Sequence, residues 1–179
     1  MKISLETYQF KANEVVASIG AGGGLWEISF ASYLDDVTFY IQDIDEGLCN
    51  QEEIDEGIAY FERQTGKKIN CTFIPIIGTS KKTNLPSHCF DKILVINALH
   101  EFDFPEEILS EIYVNLKGNG VLFIEEELAK EEGQLHEGCN KRLFTENQLK
   151  DLLAQHHFFC VNVTRKSDQS KIISFKKQL

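Results

Sequence analysis

The chain has 179 residues, of which 42% are hydrophobic, and its 28 acidic against 18 basic side chains give a net charge of −10. This length fits a single domain that can bury a sizeable core. So acidic a chain offers no basic footprint for a phosphate backbone, which excludes nucleic acid from the expected partners. The five cysteines are scattered, with no C-x-x-C pair, and residues 1–6 lack the apolar core of a signal peptide. Both features predict reduced thiols and a cytoplasmic protein.

A glycine-rich loop follows the first predicted strand. The apolar run 15–19 predicts that strand, and Gly20, Gly22 and Gly24 then form a G-x-G-x-G pattern before a predicted helix. Glycine permits positive φ and lets amides at a helix N-terminus approach a negatively charged group. A dinucleotide fingerprint needs its third glycine at position 25, where this chain has Leu25. The pattern therefore predicts a nucleoside site and argues against NAD.

A second β-rich run, residues 37–42, ends at Asp43. A carboxylate at the end of the second strand is placed to accept hydrogen bonds from ribose hydroxyls, with Asp45 as the competing acid. Between Val15 and Leu34 the only charge is Glu27, a length that would span a bilayer. The glycines inside that stretch favour a strand, loop and helix, so we expect no membrane association.

Apolar runs and helical segments continue to alternate along the chain. The pattern predicts a helix over 51–64, strands over 69–77 and 92–97, a helix to 116 with Asp103 as N-cap, a strand over 121–124, a helix from 146 to about 156 capped by Thr145, and a terminal hairpin of 158–164 and 172–175. This order predicts an α/β fold: a doubly wound, seven-stranded, mostly parallel sheet with an antiparallel C-terminal strand and helices on both faces. We expect one domain over residues 1–179.

Polar side chains follow the fourth and fifth predicted strands. His100 and Glu101 lie at the carboxyl edge of the sheet, where a histidine could act as a general base or hold the start of a helix. Glu125–Glu127 could attract a cationic acceptor or form a solvated turn. The loop beyond carries His136, Glu137 and Cys139 close together, but no second ligand pair stands at a defined spacing. We therefore predict no metal site.

Four further segments, in order, resemble the class I S-adenosylmethionine-dependent methyltransferases. They are residues 87–95 (SHCFDKILV), 97–102 (NALHEF), 116–124 (LKGNGVLFI) and 142–146 (RLFTE). The resemblance implies S-adenosylmethionine as cofactor and methyl transfer to a small molecule. The alternative is a non-catalytic or regulatory module that binds the cofactor.

The resemblance also implies which residues form the site. Cofactor-binding residues would be Ser18, Gly20, Gly22, Gly24, Asp43, Ile44, Thr79 and Asn97, and the catalytic candidates His100 and Glu101. The family usually has acidic residues where this chain has Ser18 and Thr79, which supply hydrogen-bond acceptors but no charge. Only about 14 residues precede the first strand, which implies a minimal form without N-terminal cap helices. The loop over 125–142, a partner protein or a second copy of the chain would then close the site.

Overall fold

The computed structural model describes residues 1–178. Its elements in chain order are α1 (Lys2–Tyr8), β1 (Val15–Ile19), α2 (Leu25–Ala31), β2 (Asp35–Asp43), α3 (Gln51–Thr65), β3 (Asn70–Ile77), β4 (Phe90–Ile96), a 3₁₀ turn (Leu99–Glu101), α4 (Pro105–Asn115), β5 (Leu116–Glu127), α5 (Glu146–Gln155), β6 (Phe158–Arg165) and β7 (Ser170–Lys177). Within the described residues, no helix is long and apolar enough to cross a membrane.

The seven strands form one sheet in the order β3-β2-β1-β4-β5-β7-β6. Strands β1 to β5 are parallel, and β7 pairs antiparallel with both β5 and β6. The predicted fold class, including the antiparallel last strand and the terminal hairpin, is confirmed. The order reverses between β1 and β4, and open α/β sheets bind their ligands at this switch point, outside the carboxyl ends of the strands.

Buried side chains cover both faces of the sheet. On one face, α2 and α3 contribute Ile28 and Ile54 to a core that also includes Tyr8 of α1. On the other face, α4 and α5 bury Leu109 and Leu149 against the same strands. Because the central strands β1 and β4 are buried on both faces, their sequences are nearly continuous apolar runs.

Two local predictions are wrong, and one helix was not predicted. Helix α4 begins at Pro105 after Phe104, so Asp103 does not cap it; a proline at the first helical position needs no amide acceptor. Strand β5 begins at Leu116 because that residue pairs with Phe90 of β4 and buries its side chain there. The third miss is α1, which buries Ser4 and Tyr8. By contrast, the capping box of Thr145 is confirmed.

Candidate active site

A cleft of about 170 Å³ lies at the switch point, at the carboxyl edge of the sheet. Five of the predicted site residues line it: Gly20, Asp43, Ile44, Thr79 and Glu101. The remaining lining residues are Ile19, Gln42, Ser80, Ala98, Phe102, Asp103 and Ile108. Sites that enclose a whole ligand usually measure roughly 300 to 1,000 Å³. The cleft therefore fits part of a ligand, such as a nucleoside.

The glycine loop forms one wall of the cleft. Gly20 has φ +69°, and a Cβ there would lie 2.7 Å from the Cβ of Ala98. Only glycine therefore allows the end of β1 to pass this close to the segment after β4. Gly24, at φ +71°, is the N-cap of α2. The loop thus turns sharply from β1 into α2 and leaves the amide of Gly22 directed at the end of β2.

Asp43 joins the ends of β1 and β2. Its Oδ2 accepts a hydrogen bond from Gly22 N at 2.7 Å, and its Oδ1 accepts from Ile44 N at 2.7 Å and Asp45 N at 3.0 Å. Asp45 instead accepts from Gly47 N in the following turn and does not line the cleft. Of the two acids, Asp43 is therefore the one that lines the cleft, and its role as ribose acceptor stays a prediction.

Two other predicted cofactor residues show contrasting roles at the cleft. Ile44 lines it with 59% of its surface exposed, an apolar surface on which a flat base can pack. Thr79 Oγ1 accepts hydrogen bonds from Lys81 N at 3.2 Å and Lys82 N at 3.0 Å. The threonine oxygen is therefore already engaged in its own turn.

Ser18 does not line the cleft; it lies buried beneath the glycine loop. Its hydroxyl donates to Oε1 of Glu27 on α2 at 2.6 Å. Glu27 is 1% exposed, and its Oε2 has no hydrogen-bond partner within the described part of the chain. Burial, with a smaller contribution from the nearby Glu125 carboxylate, raises the pKa of Glu27 from 4.5 to about 7, although the hydrogen bond from Ser18 lowers it. The position that lacks an acid on β1 thus has a carboxylate supplied from α2.

Glu125 extends the same buried polar cluster toward the N-terminus. Its Oε2 accepts hydrogen bonds from Tyr8 at 2.6 Å and Ser4 at 3.2 Å, and Oε1 pairs with Lys166. Burial and the adjacent Glu125 carboxylate raise the pKa of Tyr8 well above its ordinary value. These contacts tie α1 and the β6–β7 turn to the end of β5. Glu125 is therefore a buried anchor, and the solvated turn considered for it does not form.

His100 lies on the opposite side of the sheet, outside the cleft lining. Its Nδ1 is 2.7 Å from Glu126 Oε2, and Glu126 Oε1 accepts from Leu99 N at 2.7 Å. The hydrogen bond to Glu126 raises the pKa of His100. The side chain is 1% exposed, and its Nε2 lies 3.7 Å from Glu101 Oε1. Adjacent residues therefore lie in different surroundings, since Glu101 lines the cleft and His100 is buried.

The other predicted site residues, Asn97, Gly22 and Gly24, do not line the cleft. Asn97 adopts φ +49°, donates its backbone N–H to Glu125 O at 2.7 Å, and exposes its side chain outside the cleft lining. Gly22 and Gly24 shape the loop without lining the cleft. Of the buried carboxylates near the site, Glu126 was considered in the sequence only as part of the acidic run 125–127, and Glu27 was not predicted. Glu27 did leave a signal, since it is the only charge in a long apolar stretch.

The groups at this edge fit the cofactor that the sequence implies. The Asp43 carboxylate and the exposed Ile44 suit a ribose and an adenine, and the glycine loop leaves room for backbone contact. Glu27 lies buried beneath the loop, and its Oε2 has no hydrogen-bond partner among the described residues, so its charge would favour a positively charged ligand nearby.

Comparisons with known proteins agree with this architecture. A family model described as "Methyltransferase domain" matches residues 17–124. A search of curated protein sequences gave no match. Among solved structures, an S-adenosylmethionine-dependent methyltransferase from Aquifex aeolicus is similar with a TM-score of 0.74 and 16% identity, covering 97% of this chain and 87% of that one.

Two further structures show the same likeness of fold. The 1,6-didemethyltoxoflavin-N1-methyltransferase of Burkholderia thailandensis, with its acceptor and S-adenosylhomocysteine bound, has a TM-score of 0.70 at 21% identity, covering 99% of this chain and 76% of that one. A chain in the complex containing the Haloferax volcanii Trm112 methyltransferase activator has a TM-score of 0.74 at 11% identity, covering 99% and 88%. With the family match over more than half of its length, the chain belongs to the class I S-adenosylmethionine-dependent methyltransferase family, and S-adenosylmethionine is its cofactor.

Proposed function

We propose that the protein transfers a methyl group from S-adenosylmethionine to a small-molecule acceptor. The observation that carries the proposal is the Asp43 carboxylate, which is held by the Gly22 amide and faces the cleft at the switch point. The Burkholderia protein, which shares the fold, has a small molecule bound as its acceptor. The acidic surface of this chain disfavours acceptors that carry phosphate groups.

The cleft residues bind the nucleoside part of the cofactor. Asp43 accepts hydrogen bonds from the ribose hydroxyls, and Ile44 packs on the adenine. Ser18 itself supplies no charge, but it holds the Glu27 carboxylate beneath the loop. Above its pKa of about 7, Glu27 therefore carries a negative charge beneath the loop that Ser18 and Thr79 do not supply.

On the acceptor side, the chain mainly positions the reacting groups. When bound, the cofactor supplies an electrophilic methyl group attached to a positively charged sulfur, and the sulfur loses that charge when the methyl group is transferred. Glu101 lines the cleft with a half-exposed side chain and takes a proton from acceptors that carry a hydroxyl or ammonium group. His100 is the second candidate for this step, because its Nε2 lies behind Glu101.

Calorimetric titration tests the cofactor assignment. S-adenosylmethionine and S-adenosylhomocysteine should bind and NAD should not, since position 25 is leucine.

Amines, phenols, thiols and carboxylic acids are then screened as acceptors, with release of S-adenosylhomocysteine as the measured product. Once an acceptor is found, Glu101→Gln should lower turnover by roughly 10²- to 10⁴-fold with little change in cofactor affinity. Glu107→Gln, on the exposed face of α4, is the matched control.

The second candidate is a non-catalytic cofactor-binding module. It is favoured by the engagement of Thr79 in its own turn and by the enclosure of His100. Cofactor binding without product release across the screen would select it, and a partner protein or a second copy of the chain would then complete the site.

All five cysteines are free, which supports the proposed cytoplasmic location.

A further inference from the structure

Three potential metal ligands meet beneath the loop that follows β5. The ligand atoms of His100, His136 and Cys139 all lie within 4.8 Å of one another. The rings of His100 and His136 have their centroids 4.9 Å apart, and His136 Nδ1 is 3.2 Å from Cys139 Sγ. Two separate segments, the turn after β4 and the long loop, therefore converge on one point.

We propose that this cluster binds a zinc ion through His100 Nε2, the imidazole of His136 and the Cys139 thiolate. Zinc bonds of roughly 2.0–2.1 Å to nitrogen and 2.3 Å to sulfur place tetrahedral ligands about 3.3 to 3.6 Å apart. The ligand atoms lie within 4.8 Å of one another, so the side chains must draw together by about 1 Å to reach that geometry. Binding displaces the proton of the Cys139 thiol into solution, and a water molecule takes the fourth position.

The identity of the ligands selects the metal. Magnesium and calcium prefer oxygen ligands, whereas one thiolate with two imidazoles suits zinc. The spacing His136-x-x-Cys139 brings both loop ligands to the same side of one turn. The sequence alone hid the site, because its third ligand, His100, comes from a distant part of the chain.

Glu126 supports the proposal from behind His100. It is 1% exposed and hydrogen-bonds to His100 Nδ1 at 2.7 Å, while its other oxygen accepts from Leu99 N. This bond fixes the ring and directs Nε2 toward the cluster. Histidines that bind metals usually have such a carboxylate on their second nitrogen.

The Nε2 atom of His100 lies 3.7 Å from Glu101 Oε1, which is beyond hydrogen-bond distance. It is buried and has no hydrogen-bond partner among residues 1–178. Leaving a buried polar atom unpaired costs free energy, so such an atom usually has a ligand, a water molecule or an ion beside it. A metal ion satisfies it, and Nε2 lies beside the other two ligands.

The loop is built to hold its two ligands in place. Leu135 pairs with Arg142 in a short antiparallel bridge, and His136 N donates to Lys141 O at 2.8 Å. Lys141 also reaches Asp103 beyond the 3₁₀ turn, at 3.2 Å. The backbone therefore orders residues 134–143 as a hairpin before any metal arrives, which lowers the entropy cost of binding.

The inference does not depend on methyl transfer. If zinc binds, His100 is a ligand and Glu101 alone remains as the proposed proton acceptor. The metal would fasten the long loop to the segment beside the cleft. Metal binding is measured without cofactor, so failure of the proposed function leaves the test intact.

The experiment is zinc titration of untagged, chelator-treated protein, read by competition with a chromogenic chelator. We expect one equivalent to bind, and cobalt substitution to give the visible bands of tetrahedral cobalt with a thiolate charge-transfer band. Cys139→Ser should weaken binding by about a hundredfold or more and abolish the charge-transfer band, since it removes a ligand. Cys160→Ser, an exposed cysteine on β6, should bind zinc like the wild type.

His136→Asn provides a second variant on the same hairpin, so the test does not depend on a change at the enclosed His100. Zinc should raise the unfolding temperature of the wild-type protein and of Cys160→Ser, but not that of either hairpin variant. The proposal is overturned if the wild type binds no stoichiometric zinc, or if Cys139→Ser binds it with unchanged affinity.

Discussion

Replacing Glu27 by glutamine should change how the stability of the protein depends on pH. The carboxyl group is buried, Ser18 donates to only one of its oxygens, and Glu125 adds a second negative charge nearby. Burial raises its pKa from 4.5 to about 7. Glutamine has nearly the same shape and keeps an oxygen for Ser18, but it does not titrate.

The sign follows from proton binding. Between pH 4.5 and about 7 the folded state holds the Glu27 proton and the unfolded state releases it. Stability from this group is therefore complete below the lower value and is lost as the pH rises through the upper one. The difference in free energy of unfolding, wild type minus Glu27→Gln, should fall by roughly 2 to 3 kcal/mol between pH 5 and pH 8.

Urea unfolding of both proteins at several pH values measures this difference. Glu52→Gln, an exposed acid in the first turn of α3, is the control and should follow the wild-type profile. Parallel profiles for wild type and Glu27→Gln would refute the reasoning, since they would mean that Glu27 has the same pKa in both states. In the same series, S-adenosylmethionine should bind wild type more tightly above pH 7, where Glu27 is ionised.

Three further predictions follow from the site. Asp43→Ala should weaken S-adenosylhomocysteine binding about tenfold or more in calorimetry, because a charge-assisted hydrogen bond contributes about 1.5–3 kcal/mol; an unchanged dissociation constant would contradict its role. Ser18→Asp alone should lower the unfolding temperature by setting a second carboxylate against Glu27, and Ser18→Asp/Glu27→Gln should restore it; equal temperatures for both variants would contradict the pairing. Gly20→Ala should destabilise more than Gly66→Ala in urea unfolding, because both have φ near +66 to +69° but only Gly20 would also clash with a neighbour; equal losses would show that the close approach is unimportant.

Much of the fold could be predicted because local patterns and global topology agree. Apolar β-branched runs separated by helical segments specify a doubly wound sheet, and Thr145 with Gln148 marks the start of α5 in the sequence itself. Helix α1 escaped prediction because its stability comes from tertiary contacts. A helix this short is unstable alone, and the contact of Tyr8 with Glu125 near the end of β5 stabilises it in the folded protein.

The site divides in the same way. Positions set by one strand end and the next residues, such as Gly20 and Asp43, could be predicted from spacing alone. His100 and Glu101 could not be separated, because a 3₁₀ turn directs adjacent side chains to different surroundings. The partnership of His100 with Glu126 depends on the pairing of β4 with β5, which no local pattern encodes.

The pair Ser18 and Glu27 shows why a departure from a family pattern should be read in three dimensions. By sequence, Ser18 removes the usual acid from β1, yet its hydroxyl lies 2.6 Å from a carboxylate carried by the next helix. That carboxylate is costly for the free protein, because one of its oxygens is buried without a partner in residues 1–178. A cation bound nearby would offset part of this cost, so the same feature that weakens the free protein would strengthen its complex with a positively charged cofactor. In this chain the carboxyl group next to the glycine loop is carried by α2 and not by β1.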